Sequence, residues 1–188
     1  AARPIFGSEI AQFDHAASLG IKTGLCILMV FVGLDLGLQG TVFQMMRDAG
    51  LRILIFPFVT IVGTCIGAAI AGPLMGFSLR EAMAVGAGFG WYSLAPGIIM
   101  DAGLIEASAV SFLHNVLREI ISILFLPFVA EKIGYIEAAC MGGSPAMDVC
   151  LPVINKETKG KAVTYGFITG VIMSFLVPFS VPLALSIF

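Results

Sequence analysis

Long apolar runs separated by short polar stretches make up most of this chain. The runs are continuously apolar rather than alternating, and several approach the ~20 residues that a helix needs to cross a bilayer. Residues 1–17 are mixed and polar, which predicts an interfacial N-terminal segment, whereas 18–188 predict a transmembrane domain. That domain contains about six hydrophobic segments, at 18–38, 51–74, 82–100, 107–129, 136–153 and 162–187.

Two of the six segments contain residues that a continuous helix tolerates poorly. The third holds GAGFGWYSLAPG at 86–97, and the fifth holds GGSP at 142–145. Glycine and proline both destabilise helix interiors. Non-helical backbone at membrane depth also needs protein or water to bond its polar groups. The pattern predicts two broken or re-entrant helices, a pairing typical of the central binding site of a transporter.

Composition supports the membrane interpretation. The chain of 188 residues is 59% hydrophobic and 12% charged, with a mean hydropathy of +1.02. Soluble domains carry about 25% charged residues, so this chain cannot supply an ordinary polar surface. It is predicted to be an all-α polytopic membrane protein. The net charge of −2 and the scattered basic residues predict no nucleic-acid surface.

Basic residues mark two of the connecting loops. Three lysines lie in a polar loop predicted at 155–161, and Arg47 and Arg52 border the loop before the second segment. Lysine and arginine are enriched in cytoplasmic loops. Both loops are therefore predicted to be cytoplasmic, and alternation over six crossings places both termini outside.

Small residues recur at helical spacing. Gly63 and Gly67 form a G-x-x-x-G pattern, as do Gly166 and Gly170, and this pattern predicts close helix packing in lipid. The four cysteines lie in apolar stretches without the spacing of metal ligands. They are predicted to be packing residues, and no metal or cofactor is expected.

A polar island interrupts the fourth segment, in the stretch SFLHNVLREIIS at 111–122. Four of its polar residues share one helical face by their 4-3-4 spacing: Ser111, Asn115, Arg118 and Ser122. Glu119 borders this face, and His114 lies four residues before Arg118. An ionised group near mid-bilayer costs about 2.5–3.5 kcal/mol. The island is either a salt bridge that locks two helices together or, as we favour, the wall of a substrate or ion pathway.

Individual roles follow from the chemistry of these side chains. Glu119 is the candidate for direct contact with substrate or proton, and Arg118 could anchor an anion or hold a carboxylate. His114 is a candidate for packing or for proton relay. Asp148 follows the second interruption and brings negative charge to unwound backbone, and Ser144 lies within that interruption.

Three stretches together resemble the bacterial lysine exporter family often called LysO. They are GAGFGWYSL at 86–94, LREI at 117–120 and GGSPAMDVCLPV at 142–153. The final segment is also similar to the last helix of that family, and the resemblance covers about residues 20–188. It implies export of L-lysine and its toxic analogue thialysine across the bacterial inner membrane, in exchange for protons.

The resemblance also implies particular site residues and partners. By motif match the acidic positions are Glu119 and Asp148, with Trp91, Tyr92 and Ser93 in the first interruption. Members are commonly longer or split into two chains, which implies a homo-oligomer or a companion N-terminal membrane chain.

Three other interpretations stay open. The chain could transport another small amino acid or organic ion through the same broken helices, or be a structural subunit of a split transporter. An intramembrane enzyme could use Asp148 and His114 as acid and base, but no nucleophile motif supports this, so the chain is not expected to be an enzyme.

Overall fold

A computed structural model describes residues 50–187, together with isolated positions before them: Gly20, Thr23, Gly24, Ile27, Val30, Phe31, Leu34 and Arg47. The chain divides into two compact units, Ala1–Val42 and Phe43–Phe188. The interfacial segment predicted at 1–17 lies outside the described residues, as does most of the first span predicted at 18–38. The described positions between 20 and 34 are all helical.

The regular elements at 50–187 are all helical, which confirms the predicted all-α class. A 3-10 helix at Leu51–Leu54 leads into α1 (Ile55–Leu74), α2 (Leu79–Gly86), α3 (Ala95–Asp101), α4 (Ile105–Lys132), α5 (Tyr135–Cys140), a 3-10 helix at Ser144–Met147, α6 (Leu151–Glu157) and α7 (Val163–Ile187). Of these described helices, α1, α4 and α7 are long and apolar enough to cross a membrane. The number of six hydrophobic segments stays a prediction.

Both predicted interruptions are present as breaks in helical structure. Helix α2 ends at Gly86 and α3 begins at Ala95, and Phe89 and Gly90 between them have positive φ angles of 45° and 101°. In the second break, Gly143 has a φ of 71° before the 3-10 helix begins. Re-entry of these broken helices into the membrane stays a prediction.

The prediction of a loop at 155–161 is wrong for its first three residues, because helix α6 continues to Glu157. Lys156 lies in the last turn, where a positive charge interacts favourably with the helix dipole. The Thr158 hydroxyl then donates to the Ile154 carbonyl at 2.7 Å. The helix thus continues through polar residues, whereas a prediction from the apolar pattern alone places its end too early.

Helix α7 supports both breaks. It is the most buried of the three long helices and packs against α2, α3, α5 and the second 3-10 helix. A Cβ added at Gly170 would lie 2.8 Å from the Ser144 carbonyl oxygen, and one at Gly166 would lie 3.2 Å from the Ala139 carbonyl oxygen. The close packing predicted for this glycine pair is confirmed.

Small side chains allow the second broken segment to pack closely against the C-terminal half of α4. The buried cluster there consists of Leu126, Ala130, Ala138, Ala139, Ala146, Cys150, Ile154 and Ala162. Alanine dominates it, so the short helices approach α4 closely. This packing brings Asp148 toward the side of α4 that bears Glu119.

Candidate functional site

The polar face predicted on α4 is turned into the protein. Ser111 and Asn115 are fully buried, Ser122 is 3% exposed, and Arg118 is partly buried. The 4-3-4 spacing therefore identified the correct face of the helix, and this face lies against the two breaks.

Asn115 supplies a hydrogen-bond partner to the first break. Its Oδ1 accepts a hydrogen bond from the Gly90 N–H at 2.9 Å, and its Nδ2 donates to the Ser111 hydroxyl at 3.3 Å. From the other side, the Ser180 hydroxyl on α7 donates to the Ala87 carbonyl at 3.0 Å. Side chains of α4 and α7 thus bond backbone groups of the first break, the Gly90 N–H and the Ala87 carbonyl.

Arg118 makes the corresponding contact with the second break. Its Nε donates to the Met141 carbonyl at 3.3 Å, and its Nη1 donates to the Thr64 hydroxyl on α1 at 3.2 Å. Its guanidinium packs over Gly143, where an added Cβ would lie 3.2 Å from Arg118 Cζ. Across the described part of the chain, no carboxylate lies within 4.0 Å of Arg118. The salt bridge between two helices, one of the two interpretations above, is therefore not formed by Arg118 among these residues.

The two breaks also contact each other directly. The Ser144 N–H donates to the Phe89 carbonyl at 2.9 Å. A Cβ at Gly90 would lie 2.7 Å from Pro145 Cδ, and one at Gly143 would clash with the Phe89 carbonyl. The hydroxyl oxygen of Ser144 is buried and has no hydrogen-bond partner among the residues described. Glycine at these positions is what lets the interrupted segments meet.

The carboxyl groups of Glu119 and Asp148, called the carboxyl pair below, lie within electrostatic range of each other. Both also interact electrostatically with the Cys150 side chain. Glu119 Oε2 is buried without a hydrogen-bond partner in the described region. Asp148 is exposed, and its Oδ1 accepts a hydrogen bond from the Val149 N–H at 2.6 Å. The pair is a concentration of negative charge, and within the described part of the chain neither carboxyl group forms an ion pair with a basic side chain.

A cavity of about 530 Å³ lies on the other side of α4, bounded by α1 and α2. His114 and Arg118 line it, and His114 Nδ1 is buried without a partner in the part of the chain that the structure describes. Gly67 lines it as well. Among the described residues, no atom lies within 4 Å of a Cβ built at Gly63 or Gly67, so close packing of this pair stays a prediction.

The aromatic positions of the first break lie toward the surface. Tyr92 and Ser93 are exposed, and Trp91 is partly buried. Trp91 Nε1 donates to the Ser93 hydroxyl at 2.8 Å, and the Tyr92 ring meets Phe112 edge-on with centroids 6.4 Å apart. Phe112 precedes Glu119 by two helical turns, so these residues lie along the Glu119 side of α4.

Several contributors to the site carry no charge, and a search for ionisable motifs misses them. They are the Thr64 hydroxyl and the carbonyls of Phe89 and Met141. Thr64 had a weak signal, since it is a polar residue inside an apolar segment. No group of three or more His, Cys, Asp or Glu side chains that could hold a metal ion occurs among the described residues.

Comparison with known proteins gives the family. The family model described as "Lysine exporter LysO" matches residues 5–185. The chain is 28% identical over 172 residues to lysine exporter LysO of Escherichia coli (strain K12), an alignment that covers 91% of this chain and 56% of that protein. The chain thus spans about half the length of that relative.

A second relative has a length closer to that of this chain. It is a putative lysine exporter of Haemophilus influenzae, 26% identical over 175 residues, covering 89% of this chain and 86% of that protein. No solved structure matches the chain. Because the family model covers nearly all of the sequence and the long helices are apolar enough to span a membrane, the chain belongs to the lysine exporter LysO family of membrane transport proteins.

Proposed function

We propose that the chain is a transporter, not an enzyme, and that it exports L-lysine and thialysine-like analogues across the bacterial inner membrane in exchange for protons. The observation that carries the proposal is the pair formed by Glu119 and Asp148, in which one carboxyl oxygen is buried without a partner in the described structure. The names of the two relatives support the substrate.

Exchange follows from the physics of two neighbouring carboxyl groups. Both can be ionised at low cost only if a cation lies beside them, because like charges repel strongly where water is scarce. A proton bound to one of the two groups, or the ammonium group of lysine bound beside them, reduces the charge of the pair by one and so relieves their repulsion. The two cations therefore compete for one place, and competition of this kind is the basis of antiport.

The remaining predicted residues have supporting roles in this proposal. Asn115 and Arg118 hold the two breaks at the carboxyl pair by their bonds to Gly90 and Met141. Ser144 offers an unbonded hydroxyl to a polar substrate group. Trp91, Tyr92 and Ser93 would line the approach to Glu119.

His114 has a different place. It lines the cavity on the other side of α4, so the proposal moves protons through the carboxyl pair. A relay through His114 stays a prediction.

Assembly is part of the proposal as well. Because the chain spans 56% of the E. coli relative, we propose that it functions as a homo-oligomer or with a companion N-terminal membrane chain. Both termini are proposed to lie on the periplasmic side.

The test is lysine efflux from proteoliposomes loaded with radiolabelled L-lysine. Glu119→Gln should lower the efflux rate about tenfold or more, because the neutral amide loses a charge-assisted hydrogen bond to the lysine ammonium, worth about 1.5–3 kcal/mol. Glu131→Gln is the matched control: Glu131 is on the same helix, but it is exposed and pairs with Lys132 at 3.0 Å. It should leave efflux unchanged.

Two results would contradict this proposal. If Glu119→Gln and Glu131→Gln behave alike, the carboxyl pair is not the site. If a neutral amino acid competes with lysine as well as unlabelled lysine does, the chain transports another class of substrate.

A further inference from the structure

Arg118 is an unusual cation for this protein because of where it lies. It is near the midpoint of the 28-residue helix α4. The other basic residues of 50–187 lie near helix ends or in loops, as Arg80, Lys132 and Lys156 do. A negatively charged group that reaches mid-membrane depth therefore has Arg118 as its counter-ion within the described region.

The hydrogen bonds of Arg118 leave its charge uncompensated. A guanidinium has five N–H donors. Those of Arg118 reach the Met141 carbonyl and the Thr64 hydroxyl, which are both neutral. Arg118 is partly buried, and withdrawing a charge from water without a counter-ion is costly. The residue is thus prepared for a carboxylate, which a guanidinium binds through two parallel hydrogen bonds.

The cavity beside Arg118 has room for the rest of such a molecule. At about 530 Å³ it falls within the roughly 300–1,000 Å³ range of small-molecule sites. Its floor on α1 is formed by small residues, Gly67, Ala68, Ala71 and Gly72, and the remaining lining is apolar except for Thr64, His114 and Arg118. This surface suits an unbranched aliphatic chain.

We propose that this cavity is a carboxylate-recognition site, in which Arg118 binds the α-carboxylate of an amino acid and the small residues of α1 receive its aliphatic chain. The inference rests on the proposed transport of amino acids. Leu117 lines the cavity, and Glu119, two residues later, points to the opposite side of α4. One molecule therefore cannot fill both places, and the cavity holds the amino acid at a separate step from the carboxyl pair.

The probe is L-norleucine, which has the α-carboxylate and aliphatic chain of lysine without its ε-ammonium group. Binding of radiolabelled norleucine is measured on the purified full chain in lipid nanodiscs. We expect binding that lysine displaces and that cadaverine, which has no carboxylate, does not displace. Glu131→Gln should leave norleucine affinity unchanged, since Glu131 is exposed, pairs with Lys132 and does not line the cavity.

Two glycines of α1 give a matched pair of variants. A Cβ at Gly67 or at Gly63 meets no atom of the described residues within 4 Å, so leucine at either position makes no clash with them at its Cβ. Gly67 lines the cavity and Gly63 does not. Gly67→Leu should weaken norleucine binding by about tenfold or more, the scale on which one or two methylenes discriminate in an apolar pocket. Gly63→Leu should leave it unchanged.

The outcomes separate this inference from the proposed function. If norleucine does not bind, if cadaverine displaces it, or if the two leucine variants behave alike, the cavity assignment is overturned even if lysine transport is normal. If the vesicles transport no lysine but norleucine binds and Gly67→Leu weakens that binding, the cavity stands and the lysine proposal fails.

Discussion

Asn115 should be the most important neutral side chain for the stability of the first break. In Asn115→Ala the Gly90 N–H loses the acceptor that lies 2.9 Å away. Both residues are buried, so the Gly90 N–H cannot form a hydrogen bond to bulk water instead. A buried donor left without an acceptor costs about 1–3 kcal/mol. At roughly 2–4 °C per kcal/mol for a chain of this size, a loss of 2 kcal/mol lowers the Tm by about 4–8 °C.

The assay combines thermal unfolding in detergent with hydrogen exchange at the Gly90 amide. Thr60→Val is the control, because the Thr60 hydroxyl donates to the Phe56 carbonyl of its own helix at 2.9 Å, a carbonyl that the helix also bonds. It should change stability by no more than about 0.5 kcal/mol. The reasoning is refuted if Asn115→Ala leaves both the Tm and the protection of the Gly90 amide unchanged.

Two further predictions concern the backbone at the second break and the start of α2. Gly143→Ala should destabilise the protein by about 1–3 kcal/mol, because Gly143 has a φ of 71° and an added Cβ would clash with the Phe89 carbonyl. The control, Gly63→Ala, should be neutral or stabilising. Equal Tm values for the two variants would contradict this prediction. At the start of α2, the hydroxyl and N–H of Ser78 donate to Glu81 at 2.6 and 2.9 Å and hold its pKa below the usual value. Because the folded pKa is the lower one, Glu81 stabilises the fold above its unfolded pKa of about 4.3, and this contribution is lost as pH falls through the folded pKa. Glu81→Gln should therefore destabilise the protein at neutral pH but not at strongly acidic pH. A difference in stability that persists unchanged to low pH would contradict this prediction.

Local chemistry made part of the fold predictable. Glycine and proline clusters place both interruptions, because their effect on helices acts within a few residues. The buried face of α4 follows from spacing alone, since Ser111, Asn115 and Ser122 recur at helical period. The family resemblance named Glu119 and Asp148 as the acidic positions of the site. In the structure these two carboxyl groups lie within electrostatic range of each other.

Contacts between distant segments could not be read from the sequence. Arg118 bonds Thr64, which is 54 positions away, and no local pattern indicates that a buried cation will prefer a hydroxyl and a carbonyl over the adjacent Glu119. The cavity likewise depends on contacts between distant segments, because α1, α2 and α4 all line it. Gly63 and Gly67 carry the same motif as Gly166 and Gly170, and only tertiary packing decides which pair meets a neighbour.

The central claim is that lysine and protons compete at Glu119 and Asp148, and internal pH in proteoliposomes tests it most directly. With a pH-sensitive dye inside and equal pH on both sides, external L-lysine should raise the internal pH as protons leave in exchange. Glu119→Gln should abolish that change, and Glu131→Gln should preserve it. Lysine entry without any change of internal pH, or an unchanged response in Glu119→Gln, would contradict the account.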